Sequence, residues 1–444
     1  MRAIQLVAPF AILLTVAQVQ SYSSAVPLSE LVGQVAGDSV SAPTNSLTTV
    51  DFLQVLSSGK PIDVKKLGAK GDGAADDSAA IQSAINAVPD AGGAVYLPCG
   101  TFVIGATIAF RGNTRIYGDG PCTIIKESAR MAPYAPFSVR WPSIRAAPLV
   151  TNANYASGNS NIAIDHIAFD MTNATCCGVA SHAILCYKCS NVRVDAISVN
   201  GDNRHAQDGT AFVQSTNYQV TNSRVTNVTN ACYDQWQSSS HFSITDNYCA
   251  GGGHLTYGIL TTGADTTGGA GTTSHGVVAR NTIYNVTNNA IWIQGGSVGS
   301  TTDIEVTGNT IDTVTAFTGI RASEATRIRI TGNVIRNTFY QCFGTNGERP
   351  AGGATDVVFA GNTCSNVEKS NSAKPIDGAG ILVGNGTKNS SFTNNRIEGA
   401  YTYPIVFMAG SSGNVFAGNA AAPGRLGAYL DNGANNTVKL SAGR

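Results

Sequence analysis

The sequence predicts an all-β protein, a right-handed parallel β-helix (solenoid) with an N-terminal capping helix. Three observations predict this fold: a repeated strand–bend–strand segment, a second short strand about ten residues after each repeat, and a helical segment ahead of the first coil. The composition agrees, because 49 glycines and only 13% charged residues favour many short strands and turns over long helices.

The repeat is clearest in the second half of the chain. It reads IEVTGNTI at 304–311, IRITGNVI at 328–335 and VVFAGNTC at 357–364, with looser copies elsewhere. Asn and Gly tolerate the left-handed conformation that a tight bend needs, and stacked Asn side chains can hydrogen-bond from coil to coil. Since one coil cannot bury its apolar face alone, the coils must stack. The repeated residues are Asn247, Asn281, Asn309, Asn333, Asn362, Asn395 and Asn419.

The second strand defines which side chains face outward. Its copies run from HAILCYK at 182–188 to YPIVFMA at 403–409, and the third position of each is apolar. We expect that position to point into the core, so the fourth and sixth positions face outward. The fourth positions are Leu185, Phe212, Asp234, Leu260, Trp292 and Arg321. The sixth positions are Tyr187, Gln214, Trp236, Thr262, Gln294, Ser323 and Asn346.

The start of the domain predicts the capping helix. Ile81, Ala84, Ile85 and Val88 form an apolar stripe at helical spacing after the glycine-rich turn at 68–73. An Asp or Ser at 76–78 caps its N-terminus. Such a helix would close the open end of the coil stack and shield its edge.

The N-terminus predicts export. Arg2, an apolar run at 6–17 and small residues at 23–25 are typical of a signal peptide, and an uncleaved anchor is the alternative. We therefore expect a signal peptide at 1–25, a flexible leader at 26–60 and one β-helix domain at 61–440. The protein would be secreted, extracellular or periplasmic, with no membrane association after removal of the signal. Oligomeric state is left open.

Ten cysteines fit an exported protein with disulfides. The close group Cys176, Cys177, Cys186 and Cys189 allows zinc as an alternative, but disulfides or small core side chains are favoured. The sequence has no dense Asp/Glu cluster of the kind that a hard cation needs, so calcium is possible but unsupported and no cofactor is required. Equal numbers of basic and acidic residues, 28 each, argue against a nucleic-acid partner.

Two segments carry a family resemblance. GAKGDGAADDSAAIQSAI at 68–85 and GGAVYLPCGTF at 92–102 resemble the opening of the pectate-lyase-like superfamily, which includes mannuronan C5-epimerases, β-helical glycoside hydrolases and phage tailspike depolymerases. The resemblance implies the β-helix fold, and it implies that Asp72, Asp76 and Asp77 are structural. A phosphate-binding loop is the rival interpretation of the glycines, but neither a Walker lysine motif nor GxGxxG is present.

The outward face predicts a polysaccharide-binding groove. Two of the three tryptophans of the chain lie on it, and exposed aromatic rings in a line are costly unless a ligand covers them. The alternative is that long loops fold over the face and bury the rings. Coils about 4.8 Å apart rise roughly one sugar unit per step, which favours a polymer. The binding candidates are Trp236, Trp292, Gln294, Arg321, Gln214, Tyr187, Phe212, Asn346 and Glu324.

Asp234 is the leading catalytic candidate. It is the one carboxylate at an outward mid-strand position in the central coils, and apolar neighbours would raise its pKa. A solvated or Arg-paired surface Asp is the alternative. The mannuronan epimerases carry Asp-Pro-His-Glu on the corresponding strand, whereas 234–237 here read Asp-Gln-Trp-Gln. The Asp matches, but Trp236 replaces the His, which puts an epimerase-type acid–base pair in doubt.

Replacement groups lie on neighbouring loops. Arg204 and Arg321 are candidates for neutralising a uronate carboxylate, and His205, His254 and Tyr257 are candidates for the base of a β-elimination. Each His is alternatively an ordinary loop residue.

Hydrolysis instead needs two carboxylates, for which Asp208 with Asp234 is the predicted pair and Glu324 and Glu348 are outlying options. The polygalacturonase signatures, an Asp-Asp pair and a Gly-His-Gly run, are not recognised. Three hypotheses result: a secreted polysaccharide lyase or uronate-modifying enzyme, a glycoside hydrolase, and a non-catalytic carbohydrate-binding or adhesin-like solenoid.

Overall fold

The computed structural model describes residues 59–129, 131, 134, 145–174, 179–263, 271–295, 300–345, 352–368, 374 and 376–440. The predicted signal peptide, nearly all of the predicted leader, and Cys176, Cys177, Asn346 and Glu348 lie outside these residues. Three parallel sheets form the domain, and their neighbouring strands come from successive coils. The predicted parallel β-helix is confirmed.

The three sheets are named here the first, second and third sheet, in the order in which the chain visits them after the helix. The first has 14 strands: Ile62–Asp63, Gly93–Leu97, Thr114–Gly118, Ser160–Asp165, Ser190–Asp195, Thr216–Thr221, Ser240–Thr245, Thr273–Ala279, Thr301–Thr307, Ala325–Thr331, Val358–Ala360, Ser391–Thr393, Val415–Ala417 and Thr437–Lys439. The second has 13: Asp72–Asp76, Gly100–Ile104, Thr123–Glu127, Ala168–Asp170, Ser198–Asn200, Arg224–Thr226, Tyr248–Ala250, Thr282–Val286, Thr310–Val314, Val334–Thr338, Thr363–Val367, Arg396–Glu398 and Ala420–Ala421.

The third sheet, also of 13 strands, carries the candidate site. Its strands are Ile108–Phe110, Arg145–Ala146, Val150–Asn152, Val179–Tyr187, Ala206–Val213, Ala231–Trp236, Tyr257–Thr262, Ile291–Gln294, Thr318–Ser323, Gln341–Gly344, Ile381–Val383, Ile405–Phe407 and Leu430–Asp431. Within the described residues, no helix is long and apolar enough to cross a bilayer.

The predicted capping helix is Ser78–Asn86, preceded by a short 3-10 helix at Val64–Leu67. Ile81, Ala84 and Ile85 are fully buried in the inner core, so the helix covers the first coil.

The acidic residues around the helix start are structural. Asp72 accepts the amides of residues 74 and 75, and Asp76 accepts the amide of Ser78, each at 2.9 Å. Asp77 is the N-cap residue, but its carboxylate accepts the amides of Lys70 and Gly71, at 2.6 and 3.0 Å, instead of helix amides. These bonds hold the glycine-rich turn against the helix.

The repeated asparagines form the predicted ladder. Each Nδ2 donates to Oδ1 of the next Asn at 2.9–3.1 Å, and each backbone amide donates to the same oxygen. All seven side chains are buried, so the ladder satisfies polar groups that water cannot reach. The recurring Asn is therefore a structural signature of the coil.

Replacing Asn309 with Ala is expected to lower the free energy of unfolding by about 2–4 kcal/mol, because several buried groups lose a partner at once. Asn309 Oδ1 accepts from the backbone and side chain of Asn281, and its Nδ2 donates to the carbonyl of Val278. Urea unfolding followed by circular dichroism measures the change. Asn432→Ala, at an exposed position directly after the strand Leu430–Asp431, is the matched control and is expected to change stability by under about 0.5 kcal/mol. Equal losses in both variants would contradict the structural role of the ladder.

The inward register of the third sheet agrees with the prediction in every coil but one. Tyr233 is fully buried, and its hydroxyl donates to the carbonyls of Ser223 and Tyr248 at 3.0 and 3.1 Å. In the preceding coil Thr210, not Ala211, aligns with Tyr233. The prediction was wrong there because it required an apolar residue at the inward position. The aligned inward row is Ile184, Thr210, Tyr233, Ile259, Ile291, Ile320, Phe343, Ile381 and Ile405.

This one-residue shift removes two predicted binding residues from the outer face. Phe212 points inward and stacks on Tyr218 with ring centroids 4.0 Å apart. Gln214 lies past the end of its strand at φ 51°, where its amide donates to Gln237 Oε1 at 3.3 Å. Ala211 and Val213 take the outward positions instead.

Three disulfides link Cys99 to Cys122, Cys232 to Cys249, and Cys342 to Cys364. The second and third each join a third-sheet strand to a second-sheet strand of the same coil. Cys186 and Cys189 are buried thiols, and burial is the main cause that raises the pKa of Cys186. In the part of the chain that is described, no group of three or more His, Cys, Asp or Glu side chains is arranged to hold a metal ion.

Candidate active site

Both predicted tryptophans lie on one outer face of the third sheet. They belong to apolar clusters separate from the inner core, and the strand register aligns their rows. One outward row is Leu185, Ala211, Asp234, Leu260, Trp292 and Arg321, and the other is Tyr187, Val213, Trp236, Thr262, Gln294 and Ser323.

Much of this face is covered. Trp292, Arg321 and Tyr187 are only 4–5% exposed, whereas Trp236 and Gln294 are partly exposed. Over the early coils the cover includes Tyr155, from the turn after Val150–Asn152, which stacks on Tyr187 with centroids 5.2 Å apart. For Tyr187, therefore, the alternative of a loop folded over the ring is the one that the structure supports.

Asp208, Asp234 and His182 form a buried acidic cluster on this sheet. It lies between the covered Tyr187 and the covered pair Trp292 and Arg321. Asp208 and Asp234, on adjacent strands, are each 1% exposed, and His182 is 6% exposed. Asp208 Oδ2 lies 2.9 Å from His182 Nδ1. Its Oδ1 accepts hydrogen bonds from Asn230 Nδ2 and the Ala231 amide at 2.8 and 2.9 Å. Asp208 is thus firmly oriented and in turn orients the imidazole of His182.

Asp234 has the electrostatic environment of a protonated acid. Burial raises its pKa well above the ordinary value, and the charge of Asp208 raises it further. The indole N–H of Trp236 and the backbone N–H of Gln235 act in the opposite direction. Asp234 therefore holds its proton more strongly than an ordinary Asp side chain does, close to the carboxylate of Asp208.

His182 was not predicted from the sequence. It stands first in the HAILCYK copy, three residues before the outward row, where alternation from the mid-strand gives no reliable direction. A register shift in the pairing of its strand with Ala206–Val213 lies between Ser181 and His182. In the register that the structure shows, the copy after HAILCYK begins at Asp208, and aligning the first positions of the two copies in that register brings His182 beside Asp208.

The predicted loop residues lie in turns. Asp202 Oδ1 accepts the amides of residues 204–206, and Asp202 Oδ2 lies 2.6 Å from His205 Nδ1. His205 is thereby anchored in its turn, which is the alternative considered for each His. Arg204 and His254 are exposed in the turns that precede the strands of Asp208 and Tyr257. None of the contacts described for these three residues joins them to Asp234.

Tyr257, Trp292 and Arg321 form a second group farther along the face. The rings of Tyr257 and Trp292 have centroids 5.2 Å apart, and the Arg321 guanidinium lies 5.0 Å from the Trp292 ring centroid. The Trp292 indole donates to Ser323 Oγ at 3.0 Å. Glu324 directly follows the strand Thr318–Ser323; its backbone φ is 57° and its side chain is 3% exposed. This arrangement makes Trp292 a rigid element of the face.

Comparison with known proteins identifies the opening of the domain. Residues 62–138 match the family model described as "Rhamnogalacturonase A/epimerase, pectate lyase-like". The preneck appendage protein of Bacillus phage PZA is 33% identical over 113 residues, 25% of this chain. The match spans only 11% of the length of that phage protein.

Solved structures share the fold over most of the chain. The A-module of the mannuronan C-5 epimerase AlgE6 from Azotobacter vinelandii aligns with a TM-score of 0.61 at 18% identity, covering 86% of this chain and 100% of the module. PfbA, a surface adhesin of Streptococcus pneumoniae, aligns with a TM-score of 0.60 at 16% identity, covering 85% and 93%. The chain therefore has the pectate-lyase-like β-helix fold, a fold found in both an epimerase and an adhesin.

Proposed function

We propose that this chain is a secreted enzyme that modifies a linear uronic polysaccharide by β-elimination or C5 epimerisation at Asp234, Asp208 and His182. The observation that carries the proposal is a buried Asp234 whose pKa is raised by burial and by the charge of Asp208, the carboxylate that lies 2.9 Å from His182 Nδ1. A carboxyl group with a raised pKa and an imidazole on nearby strands of one sheet suit proton transfer on a bound sugar.

The chemistry follows from the two roles. His182 Nδ1 faces Asp208 Oδ2 at 2.9 Å, so we assign the role of base to Nε2, the ring nitrogen that does not face Asp208. His182 Nε2 takes the C5 proton of a uronate residue. In elimination, Asp234 gives its proton to the glycosidic oxygen at C4 as that C–O bond breaks and a C4–C5 double bond forms. In epimerisation, Asp234 gives its own proton to C5, on the face of the sugar opposite to the one from which His182 removed a proton.

The substrate carboxylate needs a positive partner while charge develops at C5. We assign this role to Arg204, which is exposed in the turn leading into the strand of Asp208. Arg321 is 5% exposed and packed over Trp292, three coils beyond Asp234, so it suits a distant sugar better. His182 would take the place of the His that the epimerase pattern has where this chain has Trp236.

A polymer is the substrate class that suits this face. Adjacent strands rise about 4.8 Å, close to one sugar unit, so the partly exposed side chains of Trp236 and Gln294, two strands apart, would contact successive parts of a linear chain. The matching family model is that of rhamnogalacturonase A and an epimerase, and the aligned module is from a mannuronan epimerase. Both names concern polysaccharides, which supports the same substrate class. The three disulfides support secretion, since such bonds persist in oxidising compartments.

A second candidate is a glycoside hydrolase, favoured by the placement of Asp208 and Asp234 on adjacent strands. In that reaction Asp234 would protonate the leaving oxygen, and Asp208 would act as base or nucleophile. The two hydrogen bonds that Asp208 Oδ1 accepts count against a free nucleophile, which is why elimination or epimerisation is preferred.

One assay separates these reactions. The protein is incubated with a panel of neutral and uronic polysaccharides, and absorbance of unsaturated ends, new reducing ends and the proton NMR spectrum of the polymer are followed. We expect unsaturated ends, or exchange of C5 hydrogen with solvent deuterium, on a uronic polymer. Reducing ends without unsaturation would favour the hydrolase instead. Binding with no reaction on any polymer would contradict both and leave a carbohydrate-binding solenoid.

A further inference from the structure

Glu127 is a buried carboxyl group outside the acidic cluster, and it contacts the strand that carries His182. It is the last residue of the strand Thr123–Glu127 and is 2% exposed. Its Oε2 accepts a hydrogen bond from Ser181 Oγ at 2.7 Å, across 54 residues of sequence. Ser181 directly precedes His182, so this bond anchors the chain one residue ahead of the imidazole.

The anchor sits at an irregularity in the sheet. Ser181 pairs with Ala206, but His182 pairs with Asp208, so the partner strand has one extra residue, Gln207, at this point. Such a bulge redirects the side chains that follow it. Without this shift in register His182 would pair with Gln207 in place of Asp208, and the position of Ser181 therefore controls the contact between His182 and Asp208.

We propose that Glu127 is a positioning residue for the His182–Asp208 pair, and that it acts through Ser181 in a way that depends on its own proton. The ionised carboxylate is the stronger acceptor for the Ser181 hydroxyl, because hydrogen bonds to charged groups are shorter and stronger. Loss of the Glu127 proton therefore tightens the bulge and improves the alignment of His182. The consequence for catalysis rests on the proposed function, whereas the coupling itself does not.

The surroundings of Glu127 place this transition in a useful range. Burial raises its pKa to about 7, the bond from Ser181 lowers it, and the charges of Asp202 and Asp170 raise it. The neighbouring acidic groups have partners of their own: Asp170 lies 3.1 Å from Lys126 Nζ, and Asp202 lies 2.6 Å from His205 Nδ1. Asn173 contacts only the backbone carbonyl of Glu127. A change of charge at Glu127 is thus transmitted chiefly through Ser181.

The coupling is tested without substrate. With only six histidines in the chain, selective ¹³C labelling of the imidazoles allows the His182 signal to be followed from pH 5 to 9. We expect an inflection near pH 7 in the wild type that is lost in Glu127→Gln and Ser181→Ala. It should be kept in Ser181→Thr, which retains the hydroxyl, and in the control Glu368→Gln, an exposed glutamate. Identical His182 profiles in the wild type and Glu127→Gln would overturn the proposal.

The kinetic arm uses whichever polysaccharide the wild type modifies. Glu127→Gln is expected to match the wild type at pH 5.5, where Glu127 is neutral, and to fall about 10-fold in kcat/KM at pH 8.5, because a small misplacement of a catalytic group has a large effect on rate. A loss that is equal at every pH would indicate a structural role and overturn the proposal. If no polysaccharide reacts, the proposed function fails while the labelling experiment still decides the coupling.

Discussion

Replacing Asp234 with Asn is expected to lower kcat/KM by about 10³-fold, within the range that a single general acid contributes. The amide has the same shape as the protonated carboxyl but cannot release a proton to the glycosidic oxygen or to C5. Because the side chain is 1% exposed, bulk water has little access to the position from which it acts. The rate is measured on the polymer identified by the panel, as unsaturated ends or as deuterium exchange at C5.

The same variant is expected to be more stable than the wild type at pH 7. The pKa of Asp234 in the folded protein is raised above its ordinary value of 3.8, so the folded chain keeps a proton that the unfolded chain releases. Stability of the wild type therefore falls as pH rises above that ordinary value, whereas Asn does not titrate. The two proteins should become equal near pH 3 in urea unfolding.

Asp246→Asn is the matched control for both measurements. Asp246 is an exposed corner residue whose carboxylate pairs with Arg280 at 2.7 Å, far in the fold from the third sheet's outer rows. We expect kcat/KM within twofold of the wild type. If Asp234→Asn lost stability at pH 7 together with activity, Asp234 would be a structural group of the covered face and the assignment would fail.

The architecture was predictable because its signals are repeated. The Asn ladder recurs from Asn247 to Asn419, and every member makes the same two bonds to its neighbour. Repetition averages out local ambiguity, so the coil could be identified although no single copy is distinctive. The capping helix followed from an apolar stripe that buries Ile81 and Ile85 in the first coil.

The register of a single coil was less predictable. The strand of Asp208 carries a polar residue, Thr210, at the inward position, and an extra residue beside Ser181 shifts the pairing. The rule that the inward position is apolar therefore placed Phe212 and Gln214 on the outer face, which was wrong. The same rule gave the correct orientation for Asp234 in the next coil. A bulge is visible only in the pairing of two strands, and a sequence read one strand at a time does not contain that information.

The candidate site was predicted in part for the same reason. Asp208 and Asp234 were identified as a pair, but the imidazole beside them comes from a third strand, at His182. The loop histidines His205 and His254 were considered because they are close to Asp234 in sequence. In the fold, His205 is held by Asp202 and His254 is exposed. Proximity between coils, about 26 residues apart in sequence, outweighs proximity along the chain.

Replacing His182 with Gln is expected to lower kcat/KM by about 10²–10³-fold, since the base would be lost while its contact to Asp208 is kept. The Gln amide can donate to Asp208 Oδ2 in place of Nδ1, so the cluster should remain folded. The measurement is kcat/KM from pH 5 to 9 on the same polymer.

His241→Gln is the matched control. His241 is exposed near the start of the first-sheet strand Ser240–Thr245, where its ring stacks on His275 with centroids 4.8 Å apart. We expect it to leave both rate and pH profile unchanged. Asp208→Asn separates the two chemistries. If His182→Gln kept its activity while Asp208→Asn lost it, the carboxylate itself would be the reacting group. The hydrolase with two carboxylates would then replace proton abstraction as the better account of this site.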